Sequence, residues 1–254
     1  MHGSADSQII PPALLMRAYR AGIFPMADSR DDPDVFWVEP KKRAILPLDG
    51  FRLSRSLARA LRRGRFRVTC NSAFDAVIEA CAAPRDDIEE SWISRRIADS
   101  YRALHDLGQA HSIECWQDGA LVGGLYGVGF SRVFCGESMF SRVSDASKVA
   151  LVWLVAALRR AGAELLDCQF LTPHLASLGA IEIPQQRYLE LLALAQRQLP
   201  AAVASPDAAA CAAVGAGAAL ALPDGFAALL ADAAAGGWAS SPGNFIEQSL
   251  TQTS

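Results

Sequence analysis

The 254-residue sequence contains six cysteines but no Cys-x-x-Cys pair. Structural zinc and dithiol redox chemistry are therefore weak readings. Cys70, Cys81, Cys115, Cys135, Cys168 and Cys211 fall mostly in apolar patterns. A reduced thiol there acts as a small hydrophobe, and a cytoplasmic protein with free thiols is expected. Long apolar runs are also missing. The clearest, from Val149 to Leu158, is too short to span a bilayer, so no membrane partner is expected. Met1 to Ser7 is polar, and no secretory leader is read there. Charge of one sign is not in excess. A net charge of −3 argues against general nucleic-acid coating but permits a local basic patch. His105, His111 and His174 share no ligand spacing, so no metal is assigned. His111 and His174 read as hydrogen-bonded structural groups. What is present, 51% hydrophobic and 20% charged residues, suits a folded globule with a sizeable core.

Pro11 and Pro12 open a helix over Ala13–Ala21 that Gly22 closes. Short strands are expected at Phe36–Val38 and, after Lys41, Lys42 and Arg43, at Ala44–Leu48. From Phe51 to Arg67, seven arginines fall in seventeen residues with no acid among them. Ser54 or Ser56 caps a helix there that Gly64 ends. The plain reading is a solvated face; the functional reading is an RNA-phosphate contact. The lack of interleaved acids favours the second. A strand at Arg67–Cys70 follows, then a helix at Ala73–Cys81 capped by Asn71 or Ser72, then a helix opened by Trp92. Three successive strands come next, His111–Gln117, Ala120–Gly127 and Arg132–Phe140. Asp118-Gly119 is a hairpin turn, and Gly123-Gly124 marks a bulge or a close backbone approach. Ser144 or Asp145 caps a helix over Ala146–Ala161, and Glu164–Gln169 forms a strand. Pro173 starts a short helix, and Gln185–Gln198 is a last amphipathic one. Beyond Pro200 the chain turns rich in Ala and Gly. A low-complexity extension is expected, with weak helix near Gly225–Ala234 and a fraying end from Asn244.

This order makes an α+β fold. Three meandering strands, a crossover helix and a further strand resemble the GNAT-like (acyl-CoA N-acyltransferase-like) architecture. That architecture cradles a CoA pyrophosphate on a Gly-rich turn before the crossover helix. Here the turn, Ser141-Arg142-Val143-Ser144-Asp145-Ala146, has no glycine, and Asp145 would repel an anion. An acyl carrier other than CoA is expected. Glu137 and Asp167 lie inside apolar strands, where a carboxylate is costly to bury without a partner. Asp167 and Gln169, two apart on one strand, share a face.

Several blocks carry a resemblance to one family. They are G-I-F-P at Gly22–Pro25, S-R-S at Ser54–Ser56, A-H-S-I-E at Ala110–Glu114 and L-V-G-G-L-Y-G-V at Leu121–Val128. They continue with G-E-S-M-F-S at Gly136–Ser141, A-S-K at Ala146–Lys148, D-C-Q at Asp167–Gln169 and S-L-G-A at Ser177–Ala180. In this order, over roughly Pro12 to Leu194, the sequence resembles leucyl/phenylalanyl-tRNA–protein transferases. The resemblance implies a small N-terminal domain (1–48), a GNAT-like catalytic domain (49–200) and, in this chain, an Ala/Gly-rich extension (201–254) that has no evident counterpart. It implies transfer of Leu or Phe, and Met less well, from aminoacyl-tRNA to proteins with N-terminal Lys or Arg, feeding N-degron degradation. The ester is already activated, so no cofactor is implied, and a monomer is expected. Gln169 would contact the incoming amine, Asp167 would polarise it, and Glu137 would bind the basic N-terminal residue or orient the amine. Leu125, Phe134 and Met139 would line the amino-acid pocket. Trp92 and Tyr101 would enclose the terminal adenosine, and Arg55, Arg62 and Arg63 would hold the acceptor stem.

The sequence departs from the family pattern at Met26, where a Trp is usual, at Trp37-Val38-Glu39-Pro40 in place of W-W-S-P, and at Thr172 in place of Asn. Two other readings stay open. One is an acyl-CoA-dependent N-acyltransferase, which tight CoA binding would favour. The other is a non-catalytic module for tRNA or N-terminal peptides, which binding without turnover would favour.

Overall fold

The computed structural model describes residues 9–84, 91–197 and 219–251. Residues 1–8, and residues 201–218 of the extension, lie outside that set. The first helix, α1 (Pro12–Arg20), has Pro at its first turn and ends before Gly22, whose φ of 81° needs no Cβ. A two-stranded sheet follows, β1 (Phe24–Met26) against β2 (Phe36–Val38). The next strand, β3 (Lys42–Ile45), begins and ends earlier than expected from Ala44–Leu48. It pairs antiparallel with two later strands, so the N-terminal segment is woven into the main sheet.

Seven strands make that sheet: β3, β4 (Arg67–Cys70), β5 (Ala110–Gln117), β6 (Ala120–Phe130), β7 (Val133–Ser141), β8 (Leu165–Gln169) and β9 (Ile181–Pro184). Their order is β4-β5-β6-β7-β8-β3-β9, and every pairing is antiparallel except β7 with β8. Asp118 and Gly119, at φ 51° and 79°, form the left-handed turn between β5 and β6. In β6, a Cβ on Gly123 would meet the Cβ of Ala146 at 2.5 Å, so this strand admits only glycine where the crossover helix presses on it.

The crossover is α5 (Ala146–Arg160), with Asp145 as the left-handed N-cap residue. Helix α5 is buried from Ala146 to Leu158 on nearly every side, as expected of a helix covered by two layers. One layer is the sheet. The other is the extension, where α8 (Leu222–Ala235) and α9 (Pro242–Thr251) pack with α2 (Arg55–Arg62) in the same core. On α8, Leu222, Gly225, Phe226, Leu229 and Ala233 form a helical stripe, and the Phe226 ring lies 5.3 Å from that of Trp153. The helix expected near Gly225–Ala234 is present as α8, and the fraying expected from Asn244 is corrected as far as Thr251: Ile246 and Leu250 are buried and give α9 an apolar face. On the opposite side of the sheet, α1, α3 (Phe74–Ala82), α4 (Arg95–Asp106) and α7 (Gln185–Ala195) contribute to a second core. A short helix, α6 (Pro173–Ser177), joins β8 to β9.

Helix caps settle two open choices. Ser54 accepts from Leu57 N–H and caps α2. Neither Asn71 nor Ser72 caps α3. Instead the buried Glu114 carboxylate accepts from the backbone N–H of Ser72 and Ala73, and from the hydroxyls of Thr69 and Ser112. Four donors thus satisfy a carboxylate that burial pushes upward in pKa. No helix among the described residues is long and apolar enough to cross a membrane.

Gly225 rests on α5 so closely that an added Cβ would sit 2.6 Å from the Ala157 carbonyl oxygen. Gly225→Ala is expected to destabilise the protein by about 1–3 kcal/mol, read as a lower denaturation midpoint. An unchanged midpoint would mean that α8 is not docked on α5.

Candidate active site

Strands β7 and β8 pair over only three residues, ending at Cys135 opposite Asp167. Beyond that point each runs on, β7 to Ser141 and β8 to Gln169. A cavity of about 910 Å³ lies between the unpaired ends. Its apolar wall comes from Leu125 on β6, Met139 on β7, Leu151 and Leu154 on α5, and Leu166 on β8. Glu137 and Gln169, each two residues past the last paired position, are polar groups on the same wall. Among the described residues, Glu137 is the one carboxylate lining the cavity.

Asp167 stands one step behind them, with no exposure and no part in the cavity lining. Its Oδ1 accepts from Arg43 Nε at 2.9 Å and from the Gln169 backbone N–H at 2.8 Å. Its Oδ2 accepts from Arg43 Nη2 at 2.6 Å and from the Tyr188 hydroxyl at 3.0 Å. Arg43 is 1% exposed, with its guanidinium 4.7 Å from the Phe24 ring and 4.5 Å from the Tyr188 ring. Burial alone would weaken its hold on its proton, but the Asp167 charge reverses that and raises its pKa. The N–H that Asp167 holds belongs to Gln169, whose φ of 60° is unusual for a residue with a side chain. The ion pair thus fixes the backbone that presents Gln169 to the cavity.

Glu137 is built differently. Its Oε2 accepts from the Tyr101 hydroxyl at 2.9 Å, and Tyr101 in turn shares a 2.5 Å hydrogen bond with Tyr19. Its Oε1 is buried and makes no hydrogen bond of ordinary geometry among the described residues. Burial pushes the carboxyl up to about 7, against the pull of the Tyr19, Tyr101 and Gln169 side chains, and the nearby Asp167 charge adds to the rise.

Apart from Asp167, which stands behind the cavity rather than on it, the residues expected at the site divide into three groups. Glu137, Gln169, Leu125, Met139 and Trp92 line the cavity. Phe134 and Tyr101 do not: both are fully buried and absent from its wall. Phe134 points into the core shared with α5, where a Cβ on Gly127 would strike its ring. Tyr101 is packed edge-on against Tyr126 and serves Glu137 through its hydroxyl, so its ring is not open to a base. Arg55, Arg62 and Arg63 are all exposed, as are Arg52, Arg59, Arg65 and Arg67. Arg62 is ion-paired with Glu247 of α9, a contact the sequence pattern did not anticipate. Met26 and Thr172, both departures from the family pattern, sit on the cavity wall. His174 lines it too, with Nε2 unpartnered among the described residues, which departs from its reading as a hydrogen-bonded structural group. His111 is half as expected, bonded to Asn71 through Nδ1 at 3.0 Å while Nε2 is unpartnered.

Comparison with known proteins puts a transferase on this scaffold. A family model described as leucyl/phenylalanyl-tRNA protein transferase matches residues 45–193, and one described as its N-terminal domain matches residues 9–41. The chain belongs to the leucyl/phenylalanyl-tRNA–protein transferase family. A transferase of that name from Novosphingobium aromaticivorans is 69% identical over 98% of this chain and 98% of its own length. One from Zymomonas mobilis is 60% identical over 73% of this chain and 69% of its own. The extension therefore does have a counterpart, in the Novosphingobium relative. A solved DUF2156 domain from Agrobacterium fabrum gives a TM-score of 0.36 at 16% identity, over 65% of this chain and 54% of that one, a likeness too slight to argue from.

Two expectations follow from the contrasting carboxylates. Arg43→Met leaves Asp167 buried without its cation, and a loss of about 3–5 kcal/mol is expected in chemical denaturation; a loss below about 1 kcal/mol would deny the ion pair its role. The folded-state pKa of Glu137 lies above its unfolded value. Its contribution to stability is thus present below the unfolded pKa and lost as pH rises through about 7. Glu137→Gln should therefore gain on the wild type as pH rises from about 4.5 to about 7, by on the order of 3 kcal/mol. Parallel stability curves for the two proteins would contradict this.

Proposed function

We propose that the chain moves Leu or Phe, and Met less readily, from aminoacyl-tRNA to the α-amine of proteins with N-terminal Lys or Arg, marking them for N-degron degradation. The observation that carries this reading is an apolar cavity whose lining includes one buried carboxylate, Glu137, beside the Gln169 amide. An aminoacyl ester arrives activated, so the site needs to do three things: hold a large apolar side chain, orient an amine and manage its proton. Leu125 and Met139 suit the first task without discriminating strongly between Leu and Phe. Gln169 suits the second, and the half-buried Trp92 on the cavity wall suits stacking of the terminal adenosine.

The reading keeps a GNAT-like catalytic domain in a cytoplasmic monomer, but β3 before residue 48 and α8 and α9 after residue 200 pack into that domain rather than outside it. The parallel β7–β8 crossing with parted ends supports that architecture. The α5 turn does not suit a CoA pyrophosphate, because Ser147 N–H is already given to Ser141 Oγ at 3.3 Å and Lys148 is paired with Asp145. The seven exposed arginines between Arg52 and Arg67 supply a phosphate-binding surface for the tRNA.

The test is a transfer assay with Leu-, Phe- and Met-charged tRNAs and peptides differing only at the first residue. Peptides beginning with Lys or Arg should be labelled. Leu-tRNA binding without labelling of any peptide would refute the reading. Changing Arg55 and Arg63 to alanine should weaken tRNA binding and lower the salt slope by about 1–2. An unchanged slope would move the RNA elsewhere.

A further inference from the structure

The two buried carboxylates differ in what they have left to give. A carboxylate offers about four lone-pair sites, and Asp167 has all four engaged by Arg43 Nε, Arg43 Nη2, Gln169 N–H and the Tyr188 hydroxyl. It is fully buried and does not reach the cavity. Glu137 reaches the cavity and accepts one hydrogen bond, through Oε2. Its Oε1 is buried and makes no hydrogen bond of ordinary geometry among the described residues, and the Gln169 Nε2 amide, whose pull the carboxyl feels, is likewise left without one. A protonated amine entering the cavity supplies the well-formed donor that Oε1 lacks.

Resting on the transfer reaction proposed above, we infer that Glu137, through Oε1, is the base that takes the proton from the acceptor's α-ammonium, and that Asp167 is a positioning residue outside the proton path. An α-amine with a pKa of about 7.7–8.0 is mostly protonated at neutral pH and has no lone pair to attack with. One N–H proton passes to Oε1, leaving the neutral amine and a neutral Glu137 carboxylic acid. The nitrogen lone pair forms the C–N bond at the ester carbonyl. The ester C–O bond breaks, and the ribose oxygen leaves with the amine's second proton. Glu137 gives its proton to water once the product departs, so each peptide bond formed releases one proton in all.

The surroundings tune the base. Tyr19 on α1, Tyr101 on α4 and Gln169 on β8 favour the charged carboxylate. Burial and Asp167 oppose it, and the Glu137 charge in turn helps hold the facing Tyr126 on β6 and Cys135 on β7 in their neutral forms. The resulting balance near 7 lies close to the amine it must deprotonate, as efficient proton transfer requires.

The experiment is single-turnover transfer from Leu-tRNA to a Lys-initiated peptide between about pH 5.5 and about pH 8.5, for wild type, Glu137→Gln and Tyr101→Phe. The wild-type rate should rise with pH and level off near 7. Glu137→Gln should be slower by about 10²-fold at neutral pH and keep rising to higher pH, following the ionisation of the amine itself, with Leu-tRNA binding retained. Tyr101→Phe removes a donor that favours the charged form, so its inflection should move to higher pH. A Glu137→Gln profile parallel to the wild type, with only KM raised, overturns the inference and leaves a binding role. An unmoved inflection in Tyr101→Phe overturns it too. Wild-type protein that binds Leu-tRNA but labels no peptide overturns the underlying reading, and the inference with it.

Discussion

The buried ion pair between Arg43 and Asp167 is the constraint on which the site depends. Arg43 comes from β3, near the start of the chain, and Asp167 from β8, well over a hundred residues later. The pair bridges the neighbouring strands β3 and β8 and holds the Gln169 backbone in a left-handed conformation it would not adopt unaided. Such a pair is weak support for stability taken by itself, because desolvating two charges offsets most of their attraction. Its value here is geometric. It removes one carboxylate from the chemistry and leaves the other, Glu137, facing the cavity with an oxygen unfilled.

The cavity follows from sheet topology rather than from any single residue. Parallel β7 and β8 are joined by α5, pair briefly and then separate. Glycines at 123, 124 and 127 let α5 and the strands either side of β6 approach its backbone closely. Helix α5 is apolar all round, so it requires cover on its outer side. Helices α8 and α9 provide it, with Asp232 reaching Arg160 and Glu247 reaching Arg62. The extension is therefore part of the core that supports the cavity wall at Leu151 and Leu154.

Much of this was legible in the sequence, and what was missed has physical reasons. The strand meander, the hairpin at Asp118-Gly119 and the crossover helix follow from period and turn chemistry. Glu137 and Gln169 were readable as polar residues in apolar strands. Arg43 was not, because it closes a Lys-Lys-Arg run that looks like surface. Alternation along β3 turns it inward while Lys42 stays out, and the uncompensated Asp167 was the signal that a cation had to exist. The resemblance puts Phe134 in the amino-acid pocket and Tyr101 around the adenosine, and nothing in one dimension separates an aromatic behind a wall from one on it. Helix α9 was lost in a polar tail whose buried positions, Ile246 and Leu250, are spaced for a helix. The apolar roundness of α5 already called for such a cover.

The central claim, that the aminoacyl group and the acceptor amine meet where β7 and β8 part, is tested most directly by a crystal structure with a stable amide analogue of leucyl-adenosine. The account predicts the leucyl side chain against Leu125 and Met139, the adenine beside Trp92, and the carbonyl carbon on the side of the cavity that Glu137 and Gln169 face. An analogue bound with its leucyl group outside this cavity, or with Glu137 and Gln169 turned away from the carbonyl, would contradict it.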